Sequence, residues 1–243
     1  MNKMKIQTSL NRLRTQLSGM ERMIRTLRAE VENHISAYAP GDIDQVVEVE
    51  TGLSRMFAEA APRAPFSARP YDPFVPGVWL GVDQEIGGCS ATVQLKCLRE
   101  PHPDGRVSRV SRLSVNPAFP LAEKPRWLTL ETDVDVAALR AAKGLRVAVV
   151  SFFDIGPRNN VVLPRDVTLI LRLKNADASH SDHLTYRIPV SSMPFEHEVL
   201  VPDLKEAGID FASVATGTVI LSFPLAGEFT YYLDHFSLQA IGA

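Results

Sequence analysis

The feature that most constrains the fold is a series of short segments with period-2 patterning, which runs from residue 77 onward. Successive side chains of a strand point to opposite faces of a sheet, so this alternation predicts strands with one apolar face. The predicted strands are Val78–Val82, Ser90–Leu98, Val107–Val115, Trp127–Asp133, Leu145–Phe153, Val167–Lys174, His183–Val190, Phe195–Val201, Thr218–Phe223 and Phe229–Leu238. One segment, residues 134–142, has a helical pattern. Many short strands with little helix predict a β-sandwich.

Residue parity predicts which side chains of the fourth segment face the core. Leu128 and Leu130 point one way, while Trp127, Thr129 and Glu131 point the other way. We therefore predict that the leucines are buried between two sheets and that the tryptophan and its polar neighbours share an exposed face.

Two later strands show the same separation of an apolar face from a mixed one. The predicted core-facing residues are Leu169, Leu171, Leu173, Leu184, Tyr186, Ile188 and Val190. The opposite faces carry Thr168, Ile170, Arg172, Thr185 and Arg187.

The first forty residues carry apolar side chains at alternating spacings of four and three. The mean repeat of 3.5 predicts an amphipathic helix that winds with partners into a left-handed coiled coil. The predicted seam is Ile6, Leu10, Leu13, Leu17, Met20, Ile24, Leu27, Val31 and His34, followed by Tyr38. Pro40 and Gly41 end the helix. The alternative is a helix packed on its own domain, which usually shows a broader apolar face of period 3.6.

The seam predicts a homo-oligomer, and its width favours a trimer. Its layers mix leucine, isoleucine, valine and methionine, unlike the simple dimer pattern. Met23 and Ile35 widen the apolar stripe further. In a trimer, three His34 side chains would meet at the axis, and we interpret them as a polar layer that sets the register.

Two segments separate this stalk from the predicted sandwich. Residues 41–61 predict a second helix, which Asp42 or Asp44 can cap and which Gly52 weakens. Residues 62–76 contain five prolines, which exclude a regular helix or a central strand. The aromatic residues between the prolines indicate that this stretch lies against a surface. We therefore predict a coiled coil over 1–40, a second helix over 41–61, a proline-rich linker over 62–76 and a sandwich domain over 77–243.

Charge and composition limit the classes of partner that the sequence indicates. The net charge is −2, which gives no indication of a nucleic-acid partner. No apolar segment approaches the roughly 20 residues that span a bilayer, and the N-terminus has no apolar signal-peptide region. Cys89 and Cys97 lie too far apart along one strand to form a disulfide. We expect synthesis in the cytoplasm without a signal peptide.

The last strand, FPLAGEFTYYLDHFSLQA, resembles the closing strand of carbohydrate-binding jelly-roll modules of the galactose-binding-like family. In that family a turn leads into an aromatic strand that ends in Asp-x-apolar-x-apolar, which here is Asp234 to Leu238. The segments RWLTLETDVD and LRVAVVSFFDI resemble paired inner strands of the same architecture. The resemblance spans roughly residues 77–243 and implies a mainly β, jelly-roll sandwich that binds carbohydrate.

The same resemblance implies a structural calcium ion near the start of the final strand. Asp234 occupies the matching position, and calcium requires such hard oxygen ligands. The alternative is an aspartate that accepts hydrogen bonds from backbone amides in a turn.

Sugar binding requires a flat aromatic ring for the C–H face of the sugar and planar polar groups for its hydroxyls. Trp127 is the predicted platform because Thr129 and Glu131 share its face, and Arg172 and Arg187 are the predicted donors from other strands. Core or interface packing is the alternative for any single aromatic residue. The other candidate platforms are Trp79, Tyr186, Tyr231 and Tyr232.

These features together predict an oligomeric glycan-binding protein without catalytic residues. A coiled coil would present several sandwiches to a cell-surface polysaccharide, and such tethering raises avidity by about 10²–10⁴. The layout is similar to that of phage-type spikes and fibres. That similarity implies attachment to a particle or capsid through the N-terminal helix, and release by lysis.

Two other function classes stay open. An intracellular polysaccharide-modifying enzyme, or its accessory subunit, would need two placed carboxylates, for which Glu131, Asp133 and Glu198 are candidates. The sequence has no Gly-x-Ser-x-Gly elbow, phosphate-binding loop or dinucleotide-binding motif. The second alternative is a structural assembly protein without a small ligand.

Overall fold

A computed structural model describes residues 46–59, 61–85, 89–101, 107–119, 125–155, 166–189, 191–225 and 227–242. The chain divides into the units Met1–Asp44 and Gln45–Ala243, and the described residues belong to the second unit. The predicted coiled-coil seam, including its His34 layer, lies outside the described residues. Within them, no helix is both long enough and apolar enough to cross a membrane.

The described part of the chain consists mainly of strands. Its elements, in chain order, are β1 (Val46–Val49), α1 (Gly52–Glu59), β2 (Arg63–Ser67), β3 (Val78–Val82), β4 (Ser90–Pro101), β5 (Val107–Ala118), β6 (Leu128–Val134), α2 (Val136–Leu139), β7 (Gly144–Ile155), β8 (Asp166–Asn175), β9 (His180–Pro189), β10 (Phe195–Val201), β11 (Val214–Ser222) and β12 (Phe229–Ile241). The ten strands predicted from residue 77 onward correspond to β3 to β12. The predicted mainly β class is therefore confirmed.

The strands form two antiparallel sheets. One has the order β10-β7-β12-β5-β4-β2, with β1 also paired to β12, and the other has the order β3-β6-β11-β8-β9. Apolar side chains from both sheets form one continuous core. The two sheets therefore form a sandwich, as the short alternating strands predicted.

The core contains the leucines that parity assigned to it. Leu128, Leu130, Leu169 and Leu171 are fully buried, in agreement with the prediction for β6 and β8. Tyr231, which was a candidate sugar platform, is also fully buried and packs against other aromatic rings of the core. Burial raises the pKa of Tyr231 above its ordinary value. The tyrosine is therefore a core residue.

Strand β9 departs from the predicted alternation. The pairing between β8 and β9 shifts between Leu169 and Leu171, and Leu184 and Thr185 have positive φ angles of 71° and 38°. Such a bulge inserts an extra residue, so the residues before and after it do not follow one alternation. Tyr186 and Ile188 both lie on the predicted core-facing side, since they pair with Leu169 and Val167. Ile188 is buried, but Tyr186 is 39% exposed.

The segment predicted as one second helix contains a strand followed by a shorter helix. Residues 46–49 are rich in β-branched valine, which favours strands, and they pair with β12. Helix α1 begins at Gly52, where an added Cβ would clash with the backbone of Gly77. Thr132 and Asp133 of β6 accept the amide hydrogens of Leu53 and Gly52 at 2.9 and 2.7 Å. The glycine thus permits a close approach that holds α1 against the sandwich.

The proline-rich stretch also lies on the sandwich. It contains the edge strand β2, which pairs with β4, and the half-buried rings of Phe66 and Phe74 pack at 6.0 Å. Ala68 and Val75 of the same stretch are buried in the core. Proline is tolerated in β2 because an edge strand pairs on one side only, so some of its amide positions need no hydrogen-bond partner.

Candidate functional site

The exposed face of the five-stranded sheet brings the predicted sugar-binding residues together. Strand pairing aligns them in three rows that cross the strands. The rows are Gly81–Thr129–Ser222–Thr168–Arg187, then Trp79–Glu131–Ile220–Ile170, and then Asp133–Thr218–Arg172–Asp182. Because directly paired residues of antiparallel strands point to the same side, all three rows share one face.

A cavity of about 450 Å³ opens on this face, which is a volume typical of ligand sites. Its lining is formed by Tyr71, Trp127, Thr129, Glu131, Ile170, Arg172, Ile220 and Ser222. Four of the five predicted ligand-binding residues are thus brought together. The fifth, Arg187, is paired with Thr168 at the sheet edge and lies outside the lining, with its side chain 78% exposed.

Two aromatic side chains form one wall of the cavity. The indole Nε1 of Trp127 donates a hydrogen bond of 2.8 Å to the hydroxyl oxygen of Tyr71. Tyr71 comes from the proline-rich stretch, and its backbone amide donates to the carbonyl of Leu80 in β3. The sequence analysis did not name Tyr71 as a site residue, although the aromatic residues between the prolines indicated contact with a surface.

Glu131 is held in place by two donors. Its Oε2 accepts from the indole of Trp79 at 3.0 Å, and its Oε1 accepts from the hydroxyl of Thr129 at 2.6 Å. In β3, the residue that pairs with Thr129 is Gly81, where an added Cβ would clash with the side chains of Thr129 and Glu131. Trp79 therefore positions the carboxylate.

Arg172 is fixed by a bidentate ion pair. Its Nε and Nη2 donate to the two carboxylate oxygens of Asp182 at 2.7 and 2.8 Å. This hydrogen bonding is the main cause that raises the pKa of Arg172 and lowers the pKa of Asp182. The negative charge of Glu131 raises the pKa of Arg172 further. Asp182 shares the face of Arg172 because the bulge in β9 breaks the alternation from which the faces of that strand were predicted.

The three candidate catalytic carboxylates are each held by separate partners. Asp133 accepts from Arg55 and from the backbone of Gly52, while Glu131 is bound as described above. Glu198 is paired with Arg146 at 2.8 Å in the other sheet. Glu131 and Asp133 thus share one face of β6, whereas Glu198 lies in the other sheet.

Asp234 is engaged by an arginine. Both of its oxygens accept hydrogen bonds of 2.6 Å from Arg112, and the two side chains are 10% and 18% exposed. Within the described residues there is no cluster of three or more acidic, histidine or cysteine side chains that could hold a metal ion. Arg112 thus engages both of the oxygens that Asp234 could offer to a calcium ion, and the calcium site stays a prediction.

One prediction concerns the pH dependence of this site. The pKa of Asp182 is lowered, mainly by its hydrogen bonds with Arg172, to below the ordinary aspartate value of about 3.9. The ionised form is therefore kept until the pH falls below about 4. We expect ligand affinity, measured by calorimetry, to be constant between about pH 5 and pH 8 and to fall below about pH 4. A decline that is complete by pH 5 would contradict this.

Comparison with known proteins gives matches at the level of solved structures. No protein-family model matches the sequence, and no curated protein matches it. The CBM22-1 xylan-binding domain from Paenibacillus barcinonensis Xyn10C is 11% identical, with a TM-score of 0.42, and the match covers 73% of this chain and 94% of that one. The N-terminal cellulose-binding domain from Cellulomonas fimi β-1,4-glucanase C is 13% identical, with a TM-score of 0.38, over 55% and 83% of the two chains. An apo-form cyclase from Fischerella sp. is 14% identical, with a TM-score of 0.47, over 82% and 98%.

Proposed function

We propose that the domain binds a polysaccharide on the exposed face of its five-stranded sheet and leaves the bound chain intact. The observation that carries this proposal is the convergence of Trp127, Tyr71, Glu131 and Arg172 around one cavity. An aromatic wall, a carboxylate and a guanidinium are the groups that recognise a sugar ring with an apolar face and polar hydroxyls. Each of the four is also fixed by a hydrogen bond before ligand arrives, which lowers the entropic cost of binding.

The polar side chains retain unused hydrogen-bonding capacity. A carboxylate has about four acceptor positions, and Glu131 uses two of them on Trp79 and Thr129. A guanidinium has five donors, and the ion pair of Arg172 with Asp182 uses two. Glu131 and Arg172 can therefore accept from and donate to sugar hydroxyls while keeping their present partners. Ser222 supplies a further hydroxyl in the lining.

The shape of the face favours an extended chain over a single sugar. The row from Gly81 to Arg187 crosses all five strands, and four strand spacings of about 4.8 Å give it a length of about 19 Å. The side chains of Ile170 and Ile220 supply apolar floor between the polar groups. Arg187 lies at the far edge of the same face, where it can contact the continuing chain.

The charge of the face favours a glycan without many charged groups. Arg172 is paired with Asp182, and Arg187 lies 3.9 Å from Asp166. Glu131 remains as a carboxylate without a salt-bridge partner among the described residues. An acidic polysaccharide would therefore meet no excess of positive charge here.

Incubation of the whole chain with immobilised polysaccharides tests this function. We expect retention of the protein on at least one of them, with the length of the polysaccharide unchanged afterwards. Release of shorter oligosaccharides would instead establish a polysaccharide-modifying enzyme. Failure to bind any glycan, with protein partners co-purifying, would establish a structural assembly protein.

We also propose that the chain is a trimer held by the coiled coil of residues 1–40, so that several weak sites act together. The attachment point to a larger particle or capsid would then be the same helix. Light scattering is expected to give three times the chain mass of 26.8 kDa, and a variant without residues 1–40 is expected to give the mass of one chain. A monomeric full-length protein would exclude this part of the proposal.

A further inference from the structure

A second aromatic cluster lies on the exposed face of the seven-stranded sheet, on the other side of the sandwich. Phe152 of β7 and Tyr232 of β12 are directly paired in the sheet. Their rings stack with centroids 4.6 Å apart and planes 17° apart. Both side chains are half-buried, so part of each ring faces solvent. The stacked rings cover each other on their facing sides, and the remaining exposed parts of both contribute to one apolar surface.

The guanidinium of Arg112 covers one side of the pair. It lies 4.8 Å from the ring centroid of Phe152 and 5.7 Å from that of Tyr232, which is within the range of cation–π attraction. The guanidinium donates two hydrogen bonds to Asp234, which hold it in this position. The rings and the arginine are therefore arranged rigidly, as a binding surface requires.

A cavity of about 480 Å³ opens beside this cluster. Its lining includes Lys96, Arg112, Phe152, Asp154, Ser192 and Tyr232. The two basic side chains are balanced by Asp154 in the lining and by Asp234 behind it. Such a balance is unsuited to a phosphate or another strongly charged ligand, and it suits a neutral one.

The surroundings of the cavity are rich in hydroxyl and amide groups. The sheet register places Gln94 and Ser114 in the same row as the aromatic pair. In the next row, Asn116 donates a hydrogen bond of 2.8 Å to Thr230, which is paired with Asp154. A neutral ligand with an apolar face and several hydroxyls would match the rings and these polar groups.

We propose that this face is a second carbohydrate site, which takes one or two rings of a neutral glycan. The C–H face of a sugar packs on the exposed parts of Phe152 and Tyr232, and Lys96, Asp154 and Ser192 bind its hydroxyls. One domain then holds two glycan segments on opposite faces and can cross-link two polysaccharide chains. The second site uses no residue of the first, so each proposal can fail separately.

Calorimetric titration of the full chain tests the second site. The probes are neutral hexasaccharides of β-1,4-glucose, β-1,4-xylose and β-1,3-glucose. For a probe that binds, we expect two molecules per chain for the unaltered protein and one for Trp127→Ala. The double variant Lys96→Ala/Asp154→Ala is also expected to bind one, and this variant alters exposed side chains that contribute nothing to the core.

Tryptophan fluorescence separates the two faces. The chain has two tryptophans, and both lie on the five-stranded sheet, where Trp127 lines the first cavity and Trp79 binds Glu131. The double variant should therefore keep the full fluorescence change of the unaltered protein while its stoichiometry falls to one. One molecule per chain for the unaltered protein, an unchanged stoichiometry in the double variant, or no binding of any probe would overturn the second site. Binding that survives Trp127→Ala but is lost in the double variant would overturn the first site alone.

Discussion

Replacement of Trp127 by alanine is expected to lower the affinity of the five-stranded face for its polysaccharide by about 30-fold or more. Central aromatic residues of binding sites commonly contribute about 2 kcal/mol or more, and each 1.4 kcal/mol corresponds to a factor of ten. The substitution removes the indole ring from the cavity wall and also the hydrogen bond that fixes Tyr71. Calorimetry of the variant and of the unaltered chain with the same polysaccharide measures the loss.

Tyr186→Ala is the matched control for this variant. Tyr186 is an exposed aromatic residue of the same sheet, but it does not line the cavity. We expect its removal to change the affinity less than twofold. Tyr71→Phe is expected to give an intermediate loss, because the ring stays while the acceptor for the Trp127 indole is removed. Full affinity of a correctly folded Trp127→Ala protein would exclude Trp127 as the platform.

Replacement of Arg112 by methionine is expected to lower the free energy of unfolding by about 2–3 kcal/mol. Removing one partner of a fully buried ion pair costs about 3–5 kcal/mol because the remaining charge is uncompensated, and the solvent around this half-buried pair reduces that loss. Arg112 and Asp234 are 18% and 10% exposed and are joined by two hydrogen bonds. The arginine also covers the rings of Phe152 and Tyr232. Urea unfolding of the whole chain measures this loss.

A double variant and a calcium titration separate the ion pair from a metal site. In Arg112→Met/Asp234→Leu neither charge remains, so a large part of the lost stability should return. If Asp234 instead bound calcium, added calcium would raise the melting temperature of the unaltered chain, and Asp234→Asn would abolish that rise. Such a calcium effect would contradict the ion-pair account, whereas equal melting temperatures with calcium and with a chelator would support it.

The alternation of apolar and polar residues predicted most of the sandwich, because this alternation depends only on residues that are close together in the sequence. Leu169, Leu171 and Leu173 are buried as their spacing requires. For the same reason Thr129 and Glu131 of β6 line one cavity together with Trp127, the residue directly before that strand. Strands β3 and β10 have the predicted bounds, which are Val78–Val82 and Phe195–Val201. Parity within single strands was therefore sufficient to find the centre of the candidate site.

Features that depend on distant pairing were not predictable in this way. Strand β1 forms by pairing with β12, which lies about 190 residues further along the chain. Without that distant partner in view, the valines of β1 resembled one face of a helix. The bulge in β9 breaks the alternation of that strand and brings Asp182 to Arg172. Tyr71 has a φ angle of 58° in a loop where no periodicity applies, and the Arg112–Asp234 pair joins residues 122 positions apart.

A crystal structure of the chain with a bound oligosaccharide would show which surface binds the glycan. We expect a sugar ring packed on Trp127 beside Tyr71, with hydroxyls hydrogen-bonded to Glu131 and Arg172, and with the Glu131–Trp79 and Arg172–Asp182 contacts retained. An oligosaccharide bound elsewhere on the chain, with the cavity of the five-stranded sheet free of sugar, would contradict this expectation.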